Sequence, residues 1–301
     1  MPSLSIVIPT LDSPWIDRTL AGLRAQGAPG AGAEVIVVGS DRLGLVPRDA
    51  SVRWIEIAER LNPAAARNLG VAASSGEKIL FIDADCRPLP GWVEGLAAAL
   101  DSAPVAGGAV TFPRDPGETN VWALADNIAS FHELLADRPA EASTRGAIGS
   151  LNLAVRREAW ERIGGFDEAL TTSEDFDWVL RARAAGLSTA FVPGAMVEHA
   201  AVRADRAALE AHAAWYGSNF HLFRARHPEV FGTGPTWRFK WLLAATAPLK
   251  AWTGARGIFD RHPEILGACR QALPGVVVFR RAWYRAVLAT WPDPPRGRGA
   301  P

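Results

Sequence analysis

Four short apolar runs limit what this chain can fold into: LSIVIP from Leu4, EVIVVGS from Glu34, SVRWIEI from Ser51 and KILFID from Lys78. Runs of this length, rich in β-branched residues, suit strands covered on both faces, as in a parallel sheet. They alternate with alanine-rich helical stretches, which is the pattern of βαβ units. Pro9 is expected to stop the first strand. Between the third and fourth runs, NPAAARNLGVAASSG carries its own helix signals: Asn62 as N-cap, Pro63 at the first helical position and Gly76 as a left-handed stop. The class that follows is α/β, a mixed and mainly parallel sheet flanked by helices.

Further on, VAGGAVTF from Val105 reads as another strand, and TNVWALADNIASFHELLADRP as a helix ending before Pro139. GAIGSLNLAVRREAWERIGGF gives a turn, a short strand and a helix stopped at Gly164 and Gly165. Ser173 is placed to cap a helix that runs to Gly186; STAFVP from Ser188 is again a strand, and one helical pattern covers Arg203 to Arg226. Past Pro228 the character changes. Two segments bearing tryptophan and arginine, WRFKWLLAATAPLKAW and VVVFRRAWYRAVL, precede the tail PDPPRGRGAP, whose composition predicts disorder. The expected organisation is an α/β domain over 1–228 and a helical C-terminal extension over 229–301.

With 49% hydrophobic residues and a formal charge of zero, the chain is expected to fold, and it offers no global field to attract nucleic acid. Cys86 and Cys269 are its only cysteines, too few for a disulfide framework or a zinc cluster, which suits a reducing compartment. The opening MPSLSIVIPT has no basic segment ahead of an apolar one, and the apolar stretch Trp241–Leu249 is too short to span a bilayer. A cytoplasmic location, with the inner face of the membrane as the place of any peripheral contact, is the expectation.

The fourth run ends in two acids, Asp83-Ala84-Asp85. If the chain stays extended there, the two-residue period points both carboxylates to one side, at the strand end where open parallel sheets bind ligands. A divalent cation such as Mg2+ or Mn2+ resolves their repulsion and commonly shares its shell with substrate phosphates. The plain alternative is a strand running into an aspartate-rich turn.

Taken in order and spacing, SIVIPTLD, EVIVVGSD, the block from Asn62 to Leu96, GSLNLAVRREAWERIGGFDE and SEDFDWVLRARAAG resemble the family 2 glycosyltransferases of the GT-A fold. The resemblance covers the chain from Ser3 to His199. It implies a Rossmann-like domain whose strand ends bind a nucleotide-diphosphate sugar, and inverting transfer of that sugar to an acceptor hydroxyl on a glycan, a glycolipid or a small molecule. It further implies that Pro9 and Thr10 line the nucleotide base pocket and that Arg67 lies near the donor. Asp83 would face the ribose and the metal, Asp85 would ligate the metal, and His199 would add a further metal or phosphate contact. In the pair Glu174-Asp175 the aspartate is the implied catalytic base; a helix dipole alone would also favour two acids there. One departure stands out: where the family carries an aspartate that reads uracil after the second strand, this chain has Gly39, with Asp41 two positions on. The absence of a Q-x-x-R-W sequence points to non-processive transfer.

Other functions fit less well. A sugar-phosphate nucleotidyltransferase would open with a glycine-rich loop after the first strand, where this chain reads PTLDSPW. A catalytically silent subunit of the same fold would not need Asp83, Asp85 and Asp175 intact. For the C-terminal segments two readings stand, helices packed on the α/β domain and peripheral contact with a membrane.

Overall fold

The computed structural model describes residues 3–28, 30, 32–115, 117–138, 147–232 and 237–292. The chain divides into two compact units: residues 1–118 with 131–202, and residues 119–130 with 203–301. The second unit therefore takes in 203–228 together with the C-terminal helices.

The elements run β1 (Leu4–Leu11), α1 (Ile16–Arg24), β2 (Ala33–Ser40), β3 (Arg53–Glu56), α2 (Pro63–Ala72), β4 (Lys78–Ile82), β5 (Cys86–Pro88), α3 (Trp92–Ser102) and β6 (Val105–Thr111). Then come α4 (Val121–Phe131), β7 (Asn152–Arg156), α5 (Arg157–Ile163), α6 (Glu174–Ala184) and β8 (Thr189–His199). The strands form one mixed sheet in the order β3-β2-β1-β4-β7-β6-β8-β5. It is parallel from β3 to β4 and between β6 and β8, and antiparallel where β7 joins β4 and β6 and where β5 joins β8. Helices cover it, as the α/β reading anticipates.

Strand alternation distributes the core over both faces. Ile6 and Ile8 of β1 with Leu80 and Ile82 of β4 pack among Ile16, Leu20 and Leu23 of α1 and Trp92, Leu96 and Leu100 of α3. Val7, Ile79 and Phe81 turn the other way, toward Val71 of α2, Trp160 of α5 and Trp178 of α6. β1, β2 and β4 carry almost no polar residues because neither of their faces meets water, whereas β3, at the edge of the sheet, exposes Arg53 and Glu56.

Several local expectations are corrected. β1 does not stop at Pro9 but continues to Leu11: β4 pairs with β1 only as far as Val7, so the missing proline N–H costs no ladder bond on that side. Asn62 does cap α2, accepting from Ala65 N at 2.8 Å, but the helix ends at Ala72. Gly76 is not its left-handed stop; a Cβ there would lie 2.6 Å from the Leu4 carbonyl carbon, so the glycine serves close approach to β1. Ser173 precedes α6 with φ of 63° and no capping hydrogen bond from its side chain. STAFVP and AMVEH are one strand, β8, with an irregularity opposite Gly108 and Ala109 of β6. The helix expected to reach Pro139 gives way after Phe131 to a 3-10 turn, His132–Leu134, and Pro139 lies outside the described residues.

In the second unit the expected helix over Arg203–Arg226 breaks at Asn219 into α7 (Arg206–Ser218) and α8 (Phe220–Arg226). The two tryptophan-bearing segments are helices, α9 (Trp237–Arg261) and α10 (Leu273–Ala289), and α10 packs on both α7 and α9. A buried Asp126 of α4 accepts from Arg203 at 3.3 Å and pairs with His212 of α7 at 2.7 Å. The tail from 293 on lies outside the described residues.

The irregularity in β8 is held by one side chain. Asn152 opens β7, accepts from Trp92 Nε1 at 2.8 Å, and donates through Nδ2 to the carbonyls of Ala109 and Ala195 at 2.8 and 2.9 Å. Without it, three buried groups lose this partner together. Asn152→Ala is expected to destabilise the fold by about 2–4 kcal/mol, the range for several buried polar groups losing a partner together. Urea unfolding would measure it, and a loss below about 0.5 kcal/mol would show that the network carries no such weight.

Candidate functional site

β4 ends at Ile82, and the chain does not stay extended through the two acids. Asp83 to Cys86 is a tight turn closed by Cys86 N donating to Asp83 O at 3.0 Å, and Ser13 Oγ anchors it by donating to Ala84 O at 2.8 Å. The turn gives each carboxylate a different partner. Asp83 accepts from Arg67 Nη2 of α2. Asp85 faces His199, with Oδ2 and Nε2 3.5 Å apart, because β5 pairs antiparallel with the end of β8 and sets Cys86 opposite His199.

Arg67 is 3% exposed and has a second carboxylate on its other side: Nη1 donates to Glu174 Oε1 at 2.8 Å. The start of α6 is thereby tied to the end of β4 through a residue of α2. Burial opposes the arginine's charge, but the carboxylates of Asp83 and Glu174 raise its pKa above the ordinary value. Burial raises the Asp83 carboxyl, Arg67 pulling the other way and Asp85 adding to the rise. Burial also pushes Glu174 up to about 7, helped by neighbouring Asp175 and opposed by Arg67.

Asp175 is placed differently from Glu174. Its Oδ2 accepts from both N and Oγ of Ser150, at 2.7 and 3.1 Å, and its Oδ1 from Phe176 N at 2.8 Å. It is half-buried, whereas Glu174 is buried. Ser150, in the turn before β7, has no chemical signature of its own, and the sequence reading passes over it. Ser173, one residue before the pair, is in the left-handed region, where a side chain is disfavoured. Among the described residues the other such non-glycine position is Asp12, with φ of 54°, which follows β1 directly. Strain of this kind at two strand and helix ends around one site marks geometry that the surroundings enforce.

At the ends of β1 and β2 lies a cleft of about 500 Å3, lined by Thr10, Gly39, Asp41, Arg42, Glu56 and Leu61 among others. Pro9 is next to Thr10 on β1 but not among the lining residues. Gly39 has φ of 139°, and a Cβ on it would sit 1.8 Å from Thr10 O, so no side chain fits. Asp41 does not take over a free acid's role: its carboxylate accepts from Leu45 N, Val46 N and Arg48 Nη2 at 3.0, 2.9 and 3.3 Å. A second cleft of about 690 Å3 on the β5 side is lined by Asp85, Cys86, Trp15, Arg18, Arg87 and Glu198 among others. Burial pushes the Cys86 thiol well up, which makes it a packing residue and not a nucleophile.

Asp83, Asp85, Arg67, Glu174, Asp175 and His199 thus form one connected group, with Thr10 and Asp41 in a cleft of their own. The donor set suits a divalent cation in part. His199 is buried with Nδ1 unpartnered among the described residues, and Asp85 has only the imidazole at 3.5 Å and the Cys86 thiol at 3.8 Å for company. One Asp83 oxygen is taken by Arg67. Among the described residues no group of three or more His, Cys, Asp or Glu side chains is set to hold a metal ion. What remains is a partial shell of one carboxylate and one imidazole, which leaves positions for ligand oxygens.

Residues 5–164, more than half of the chain and spanning the strand ends and the acid turn, match Glycosyl transferase family 2. The chain belongs to this family. Among curated relatives, the glycosyltransferase AglE of Haloferax volcanii is 30% identical over 202 residues, which is 64% of each protein. The pre-mycofactocin glycosyltransferase of Mycobacterium tuberculosis is 28% identical over 260 residues, 83% of this chain and 52% of that protein. The chain thus spans 64% and 52% of the lengths of these relatives. The family's fold is evident among solved structures. The mannosyltransferase PcManGT from Pyrobaculum calidifontis, in complex with GDP-Man and Mn2+, superposes with a TM-score of 0.60 at 19% identity over 96% of this chain and 86% of that one. S. aureus TarS 1-349 gives 0.51 at 14% identity, over 95% and 92%. The architecture is GT-A-like, with helices following the sheet.

The raised Glu174 gives the site a pH signature. The folded state holds this proton more tightly than the unfolded chain, so the group's contribution to stability is full below pH 4.5 and is lost as pH rises through about 7. Glu174→Gln, which cannot titrate, is expected to flatten the fall in Tm between pH 4.5 and 7. Scanning calorimetry across that window decides it, and an unchanged slope would mean that Glu174 keeps an ordinary pKa.

Proposed function

We propose that the protein is an inverting glycosyltransferase that moves a sugar from a nucleotide-diphosphate donor to an acceptor hydroxyl, with Asp175 as the base. The observation that carries the reading is the unequal treatment of two adjacent acids. Glu174 is locked on Arg67, while Asp175 uses three of about four carboxylate lone-pair positions on Ser150 and Phe176 and keeps one for a further donor. In the proposed step the acceptor hydroxyl gives its proton to Asp175. The acceptor oxygen forms the new bond to the anomeric carbon as the bond from that carbon to the diphosphate oxygen breaks, with the electron pair leaving on the diphosphate.

The solved neighbours PcManGT, with GDP-Man, and TarS, with UDP-GlcNAc, support a nucleotide-sugar donor. Its nucleoside is assigned to the cleft at Thr10 and Gly39, shaped by the strand end at Pro9. The base is left to a surface without a free aspartate, since Gly39 admits no side chain and Asp41 is spent on its own loop. The free edge of Asp83 is assigned to the ribose. Asp85 and His199 are the residues that would hold a divalent cation, Mn2+ or Mg2+, with the remaining oxygen of Asp83 beside them. Such a cation supplies charge neutralisation to the departing diphosphate. Arg67 does not touch the donor in this reading; it fixes the distance between the donor acid and the base helix.

Two measurements test these assignments. Asp175→Asn is expected to keep donor affinity and to lower single-turnover transfer by at least about a hundredfold, with Glu174→Gln doing less harm. Near-normal turnover in both variants would remove the pair as the source of the base. Asp85→Ala is expected to abolish the Mn2+-dependent part of nucleoside diphosphate binding in calorimetry, because a carboxylate in the cation's shell is lost. Equal affinity with and without Mn2+ in the unmodified protein would eliminate the cation site.

A further inference from the structure

Helix α9 distributes its apolar residues the wrong way round for a helix in water. Its buried side is mostly small: Ala247, Ala251 and Ala255, with Ile258 and Phe259 near the end. Its large residues face out, with Trp241 70% exposed, Leu249 64%, Leu242 58% and Trp252 46%. At 3.6 residues per turn these four, with exposed Ala245 among them, fall within an arc of about 100°. A globular helix turns such an arc inward. Single exposed apolar residues need no explanation, but a contiguous set with two indoles marks an interaction surface.

The charge on the helix selects what that surface meets. No aspartate or glutamate occurs between Trp237 and Phe259. Lys250 and Arg256 are exposed and Lys240 half-exposed, and among the described residues only Asp260, 3.6 Å from Arg256 Nε, answers them. A second copy of the chain docking by the same face would bring like cations together, since a two-fold interface pairs a surface with itself. The headgroup layer of an anionic bilayer accepts both features: indoles settle at headgroup depth, and lysine and arginine face lipid phosphate. No described helix is long and apolar enough to cross a membrane, so contact of this kind means lying on the surface.

We propose that α9 docks the protein on an anionic lipid surface through Trp241, Leu242, Leu249 and Trp252, with Lys250 and Arg256 at the headgroups. The proposal is independent of the reaction assigned above, because no residue of that site takes part in it. Co-sedimentation of the full chain with vesicles tests it, using phosphatidylcholine alone and phosphatidylcholine mixed with phosphatidylglycerol. Binding is expected on the mixed vesicles, weakened by salt, and little on the neutral ones. Trp241→Ser combined with Trp252→Ser is expected to lower the partition coefficient by at least about tenfold, since binding scales with the apolar area inserted. Lys250→Glu is expected to weaken binding on the mixed vesicles. Circular dichroism checks each variant, and Leu249→Ser alone replaces the double variant if that one does not fold. A full chain that stays in the supernatant with mixed vesicles, or variants that bind like the parent, would overturn the proposal. So would a dimer in sedimentation velocity that Trp241→Ser dissociates, with no vesicle binding: the face would then be a self-association surface.

Discussion

Arg67 stands where three elements of the first unit meet. It leaves α2, donates to Asp83 at the end of β4 and to Glu174 at the start of α6, and is almost entirely out of water. Burying such a charge carries a penalty of several kcal/mol per ion even after relaxation, and the attraction to its partners only roughly offsets it. Hydrophobic side chains in place of all three members would therefore serve stability as well, whereas replacing the arginine alone would leave two carboxylates without their cation. What they would not do is hold two carboxylates at set distances on either side of one planar group, since a guanidinium presents its donors as a rigid fork. The bridge is best understood as a spacer. It determines how far the acid turn lies from the Glu174–Asp175 helix, and Ser150 then determines how Asp175 is turned.

The two strained backbone positions belong to the same arrangement. Asp12 follows β1 with its carboxylate on Arg42 N at 2.8 Å, and Ser173 precedes α6. A residue with positive φ reverses the chain more sharply than an ordinary loop residue, so each lets a side chain project from a strand or helix end at an angle the regular element does not offer. Gly39 does the equivalent without strain, and its missing side chain is filled by the Thr10 carbonyl. The surroundings hold all three: Asp12 and Gly39 at the ends of β1 and β2, Ser173 at the start of α6.

The sheet and most helices were legible because they depend on local patterns: apolar, β-branched runs for β1, β2 and β4, an asparagine and a proline opening α2. The residues that the fold brings together around Arg67 could be named from the sequence only through the resemblance of whole blocks, since an aspartate pair or a lone histidine says little alone. Their partners could not. That Asp83 answers to Arg67 and Asp85 to His199 depends on a turn at Ala84 where the sequence suggested an extended chain, and on an antiparallel pairing between the three-residue β5 and β8 that no local signal announces. Ser150 looks like any turn serine until the fold sets it against Asp175. Gly76 and Ser173 were misread for a related reason: a glycine after a helix and a serine before one carry the same local signal whether or not the backbone there needs a close approach or a positive φ.

These pairings also change what the two like charges at the end of β4 mean. Asp83 has a fixed cation in Arg67, and Asp85 has the His199 imidazole 3.5 Å away, so each acid is positioned by a partner of its own. Counted together, the group holds four carboxyl groups, Asp83, Asp85, Glu174 and Asp175, against one guanidinium. Such a site repels a diphosphate unless positive charge arrives with it or a proton is kept, and the buried, raised Glu174 is the carboxyl built to keep one. Asp85 and His199 are the side chains proposed above for a cation, His199 being buried with Nδ1 unpartnered among the described residues. In the reaction proposed above the negative charge would be divided among the four acids: Asp83 and Glu174 share the one guanidinium, Glu174 with its pKa raised by burial, which would leave Asp85 for a cation and Asp175 for the acceptor's proton.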